Sequence, residues 1–205
     1  MSLKSEILKL KKSNISKEIN SRLKEFQELN KKGNNEWFSE LCFCILTANS
    51  KAQTAMQIQD ELKAKGFLEY SLNKIVSVIR KNNHRFHNNK GKYIVEARKF
   101  KNIKTILSKE KDPREFIEKN IKGLGWKESS HFLRNVGFTD YAILDRHILN
   151  LFVENKYIKE KPKSLNKNNY FEIEKIFQKL AKDLNMNCAE LDMYMWFLKT
   201  NKVLK

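Results

Sequence analysis

A chain of 205 residues is long enough to bury a substantial core, as one domain or as two packed lobes, and 41 Lys+Arg against 24 Asp+Glu leave a net charge of +17. That excess points to a polyanionic partner, most simply nucleic acid, or to a generally basic proteome, because the lysines are spread along the whole sequence. The longest apolar run, Leu41 to Leu46, is far too short for a membrane span, no apolar stretch of signal-peptide length follows the charged N-terminus, and three cysteines at unmatched spacings suit neither a disulfide framework nor zinc nor an iron–sulfur cluster. An intracellular, cytoplasmic protein without metal or other cofactor is expected.

Six glycines and two prolines punctuate a sequence that shows helical periodicity almost throughout, so the expected fold is all-α, with about ten or eleven helices and no internal repeat. The stretch to about Asn30 carries Ile15, Ile19, Leu23, Phe26 and Leu29 on one helical face, and Lys31 to Asn35 breaks it. Glu36 to Ala48 is apolar almost all round and reads as a central buried helix, with Asn49 at its C-terminal end as a candidate C-cap. Gln53 to Lys65 and Leu72 to Arg80 give two more helices. Lys81 to Lys90 then reads as a polar, basic loop with a single aromatic, Phe86. A solvated loop with an incidental aromatic is the plain reading; an aromatic among basic residues also suits stacking on an extruded base.

Tyr93 to Leu107 is expected as one long helix, and Asp112-Pro113 as the start of the next, with Asp as N-cap and Pro at the first helical position. Phe116, Ile117 and Ile121 line one face of that helix, and Phe132, Leu133 and Val136 one face of its successor. Between them stands Lys122-Gly123-Leu124-Gly125-Trp126-Lys127, with Gly123 where a helix ends in a left-handed cap and Gly125 where a new one begins. Helix, two-glycine turn, helix is the outline of a helix-hairpin-helix over residues 115–136. Its turn offers backbone N–H groups, from Leu124 to Trp126, to a phosphate. Lys127 falls in the first turn of the second helix. Asp145 follows eighteen residues later as the N-cap of a helix from Arg146 to Glu154. Tyr170 to Leu184 is helical, Asn187 to Glu190 resembles a capping box, and the last helix runs from Ala189 to about Leu198, with Trp196 apolar enough for the core.

The run GLGWKESSHFLRNVGFTDYAILDRHIL resembles the HhH-GPD superfamily of DNA glycosylases, and within it KESSHFLRNVG and LDRHIL are most similar to the archaeal-type (type 2) 8-oxoguanine DNA glycosylase/AP lyases. The resemblance implies a lysine nucleophile at Lys127 and an aspartate helper at Asp145. It also implies DNA contacts at Gly123, Leu124, Gly125 and Trp126, and a gap-filling side chain at Asn49, where the C-cap reading also stands. Phe86, Trp196 and the terminal Lys205 would hold the damaged base. WFLKTNKVLK is similar to the family's C-terminus, departing from it at Asn201, where glycine is expected and where asparagine tolerates the left-handed conformation. Some members of the superfamily carry a four-cysteine cluster near the C-terminus, which this chain cannot form. His131 and His147 read as packing or phosphate contacts, since no cysteine or carboxylate cluster accompanies them.

A free lysine is roughly 0.1% neutral at pH 7.4, and a helix N-terminus alters that balance by only ~0.3–1 kcal/mol, so nucleophilic chemistry at such a position calls for desolvation. The expected architecture is a two-lobed, all-α glycosylase with a central cleft, one lobe spanning about residues 36–136 and the other about 1–30 plus 140–205. The expected partner is double-stranded DNA containing 8-oxoguanine, bound by a monomer that works on prokaryotic chromosomal DNA. Two alternatives stay open in the sequence: a glycosylase of the same fold acting on another damaged base, and a non-catalytic hairpin module that binds DNA.

Overall fold

The computed structural model describes residues 2–205. Among these there are twelve α-helices, one 3-10 turn and no strand. The chain divides into two compact units. One comprises the chain up to Glu28 together with Gly137–Lys205; the other is Leu29–Val136.

In the first unit, α1 is Leu3–Lys11, and α2, Ile15–Lys31, runs on across the division. The N-terminal stretch expected as one helix is therefore two. The break falls where the Ser13 hydroxyl donates to the Leu10 carbonyl at 2.8 Å, a local bond that competes with the helical ladder. The rest of this unit is α10 (Arg146–Glu154), α11 (Lys167–Asp183) and α12 (Cys188–Thr200). Leu3 and Ile7 of α1 are buried, and α1 packs on α12. Asn187 caps α12 by accepting from the Glu190 N–H at 2.8 Å, and Asn201 ends it in the left-handed conformation, φ 52°.

The second unit is organised around α3, Asn34–Thr47, which is buried continuously from Trp37 to Thr47. Against it pack α4 (Ala52–Glu69), α6 (His87–Ala97), α7 (Ile103–Leu107) and α9 (Trp126–Asn135). The α5 helix, Leu72–Lys81, rests on α4 and α6. The span Tyr93 to Leu107 is not one helix: α6 gives way at Arg98–Phe100, a 3-10 turn, and α7 begins at Ile103. At that point Arg98 turns away to donate to the Phe67 and Tyr70 carbonyls at the end of α4. Conversely α6 starts at His87, so the polar segment read as loop to Lys90 is helical from His87 onward. Val76 of α5 lies 2.5 Å from where a Cβ on Gly91 would stand, so only glycine allows this approach of the two helices.

A buried polar network fastens α9 to α3 and α4. Asn135 donates to Glu40 Oε1 at 2.6 Å and accepts from the Arg134 guanidinium at 2.8 Å and 3.0 Å. Gln59 donates to the other Glu40 oxygen at 3.1 Å. Every charge in this set has a partner, which is the condition for polar groups to be tolerated in a core.

Candidate active site and nucleic-acid interface

The hairpin is α8 (Pro113–Asn120), a turn and α9. Asp112 caps α8 by accepting from the Glu115 N–H at 3.0 Å, with Pro113 at its start. The helix leaves its ladder at Ile121, in extended conformation, so Gly123 stands two residues beyond the cap. Its φ is +90°. Glycine is required there twice over: L-residues avoid that φ, and a Cβ would lie 2.6 Å from Cδ2 of Tyr93. Gly125 is the N-cap of α9 and donates its N–H to Glu128 Oε2 at 3.3 Å.

The Leu124 N–H, expected at a phosphate, donates in this structure to the Ile121 carbonyl at 3.2 Å, and the Leu124 and Trp126 side chains are buried. The two-glycine turn folds onto itself at Leu124, because a donor inside so tight a turn finds a backbone acceptor three residues back. Gly123, at positive φ, stands just ahead of the N-terminus of α9, and backbone of that kind suits an anion.

Lys127 is the second residue of α9, with 27% of its side chain exposed, and its Nζ pairs with Glu128 Oε1 at 2.9 Å. Glu128 therefore holds the turn backbone with one oxygen and the lysine with the other. Sequence reading passed over it, although Gly-x-x-Glu ahead of an apolar face is a capping signal.

Asp145 caps α10, its Oδ1 accepting from the N–H groups of His147 at 2.8 Å and Ile148 at 2.9 Å. The segment leading to it is held by α11: Tyr170 donates its hydroxyl to the Ala142 carbonyl at 2.7 Å, and Glu174 accepts from the Ala142 N–H at 3.0 Å. Just inside α10, His147 meets Trp196 edge to face at 5.1 Å between centroids. Trp196 is half-buried, its Nε1 has no hydrogen-bond partner, and Lys205 is half-buried at the chain end. His131 packs edge to face on Phe43 at 5.8 Å. Among the described residues, no three His, Cys, Asp or Glu side chains are grouped to hold a metal ion.

Asn49 and Phe86 are brought together by the residues around them. Asn49 follows the Ala48 cap of α3 at φ 58°, and its carbonyl accepts from Arg85 at 2.9 Å. The Arg85 guanidinium lies 4.5 Å over the Phe86 ring, which is 38% exposed.

Comparison with known proteins decides what this hairpin belongs to. The family described as 8-oxoguanine DNA glycosylase, Ogg-HhH, matches residues 19–186. The chain belongs to this Ogg-HhH family. A relative from Methanocaldococcus jannaschii named 8-oxoguanine DNA glycosylase/AP lyase is 48% identical over 208 residues, covering all of both chains. One of the same name from Korarchaeum cryptofilum is 39% identical and covers 99% of this chain and 98% of its own. The crystal structure of the M. jannaschii 8-oxoguanine glycosylase/lyase in complex with DNA containing 8-oxoguanine matches with a TM-score of 0.97 at 47% identity, over all of both chains.

In this member of the Ogg-HhH family two residues emerged only from the fold. Lys90 is 5% exposed, and burial pushes its ammonium down to about 8, with the charge of Glu128 opposing that shift and the charge of Lys127 adding to it. His84 is 2% exposed, and burial holds its imidazole below the ordinary range. Both lie in the stretch that composition made a solvated loop. No local signal marks them, because burial here is set by α3, α5 and α9.

Proposed function

We propose that this protein excises 8-oxoguanine from double-stranded DNA and then nicks the strand as an AP lyase, through a Schiff base at Lys127. The observation that carries the reading is a half-buried amine at the start of the second hairpin helix, tied to Glu128 at 2.9 Å, in a member of the Ogg-HhH family.

A DNA phosphate binds at Gly123 and the first turn of α9, where glycine leaves the backbone open and the helix dipole favours negative charge. The damaged nucleotide leaves the stack, at the cost of unstacking, with Asn49 in the gap. Phe86, Trp196 and Lys205 take the base. The N7–H that distinguishes 8-oxoguanine from guanine donates to a backbone carbonyl. Neutral Lys127 Nζ attacks C1′; the C1′–N9 bond breaks and its electron pair leaves with the base, which takes up a proton. Asp145 receives the proton that the attacking amine sheds, and its negative charge favours the cationic, oxocarbenium-like transition state. Ring opening gives the Schiff base, loss of a C2′ proton expels the 3′ phosphate, and water frees the lysine. No step calls on a cofactor, and a monomer acting with the chromosomal DNA suffices.

Borohydride trapping tests this directly. A covalent adduct forms with an 8-oxoguanine duplex and not with its undamaged counterpart, and Lys127→Gln abolishes it while binding persists. Normal nicking by Lys127→Gln refutes the nucleophile. Absence of any adduct, with equal binding to both duplexes, reduces the protein to a binding module.

A further inference from the structure

Leu46 and Asn49 sit at the end of α3, Phe86 at the start of α6, and one buried side chain touches both segments. His84 Nε2 lies 2.9 Å from the Leu46 carbonyl, and His84 Nδ1 lies 3.2 Å from the Phe86 N–H. A carbonyl only accepts and an amide N–H only donates, so Nε2 carries the proton and Nδ1 is bare. This single neutral tautomer satisfies both bonds. The imidazolium would lose the Phe86 bond, since it has no acceptor nitrogen. Arg85 adds a second tie, from its guanidinium to the Asn49 carbonyl, and covers the Phe86 ring. His87 completes the set with its Nδ1 at 3.2 Å from the His84 carbonyl.

We propose that His84 is a positioning residue for base extrusion: its neutral imidazole joins the Asn49 turn to the Phe86 loop, so that gap filling and base stacking act as one rigid unit. This rests on the reading of Asn49 and Phe86 given above. Both residues stand on backbone that glycine-free turns hold only with help. Asn49 is in the left-handed region, and Phe86, outside regular helical geometry, precedes α6 with no side-chain cap. An ångström of drift in either separates the two functions, and misplacement of that size costs on the order of a hundredfold in rate.

Burial disfavours a second proton on the imidazole, the bond to the Leu46 carbonyl opposes that, and the neighbouring side chains on its own segment, Lys90, His87 and Arg85, add to the effect of burial. The neutral tautomer therefore persists to lower pH than in a free histidine and fails only as acid protonates it.

His84→Asn keeps an acceptor near the Nδ1 position, and His84→Gln keeps a donor near Nε2, so each preserves one bond and lessens the risk of misfolding that His84→Ala brings. Two activities are measured in single turnover: excision from an 8-oxoguanine duplex, and nicking of a preformed abasic site, where no base has to be held. All three variants lose excision by about tenfold or more while nicking changes by less than about threefold. In the wild type the ratio of excision to nicking falls as pH drops below the ordinary imidazole range, and the variants lose that dependence. Equal losses in both activities indicate a merely structural role and overturn the proposal, as does wild-type excision in the variants. A wild-type protein inactive on both duplexes overturns instead the functional reading on which the proposal stands.

Discussion

Replacing Lys90 by methionine removes a buried charge while keeping a flexible side chain of similar length. In the folded protein the ammonium is pushed from 10.5 to about 8, chiefly by burial. A depressed lysine pKa means that the folded state disfavours the protonated form. The penalty is absent above the unfolded value of 10.5, grows as pH falls towards 8, and is fully present below it. At 1.36 kcal/mol per unit, the cost of carrying this charge is about 3 kcal/mol at pH 7 and about 1.4 kcal/mol at pH 9.5. Lys90→Met thus stabilises the protein by about 2–3 kcal/mol at pH 7, some of the gain being lost to imperfect packing, and raises Tm by roughly 5–10 °C for a chain of this size. Thermal melts followed by circular dichroism at pH 7 and pH 9.5 read the effect. A gain of equal size at both pH values attributes it to packing, and a loss at pH 7 refutes the argument that the ammonium is held at a cost.

The turn and the cap give two further tests. Gly123→Ala forces an L-residue to a φ of +90° and drives a Cβ to 2.6 Å from the Tyr93 ring, which costs about 2–3 kcal/mol and lowers Tm by several degrees; Tyr93→Ala in the same chain recovers only the contact part, and an unchanged melting curve contradicts the account of the turn. Asp145→Ala loses the cap of α10, about 1 kcal/mol, together with excision, whereas Asp145→Asn keeps the unfolding free energy within about 0.5 kcal/mol of wild type and still loses excision. Wild-type excision by Asp145→Asn removes the carboxylate from the chemistry.

Much of the local structure was legible because its causes lie within a few residues. Asp112-Pro113, Asp145 and Asn187 each start a helix where their side chains can accept from an N–H two or three positions on, and Asn201 ends one where its left-handed tolerance predicts. The all-α class follows from the 3.6-residue periodicity, and the hairpin from its two glycines. The likeness of the run around Lys127 to the Ogg-HhH family was equally plain in the letters.

What only the tertiary structure decided concerns polar groups whose fate depends on distant neighbours. Lys90 and His84 lie in a stretch whose composition says solvent, yet both are buried. Helical periodicity runs unbroken from Tyr93 to Leu107, but Arg98 leaves it to reach carbonyls at the end of α4. In each case the short-range preference is worth a fraction of a kcal/mol per residue, and a partner brought near by folding outweighs it. Sequence periodicity says which face of a helix is apolar; the chain's return path says which polar atoms meet beneath it.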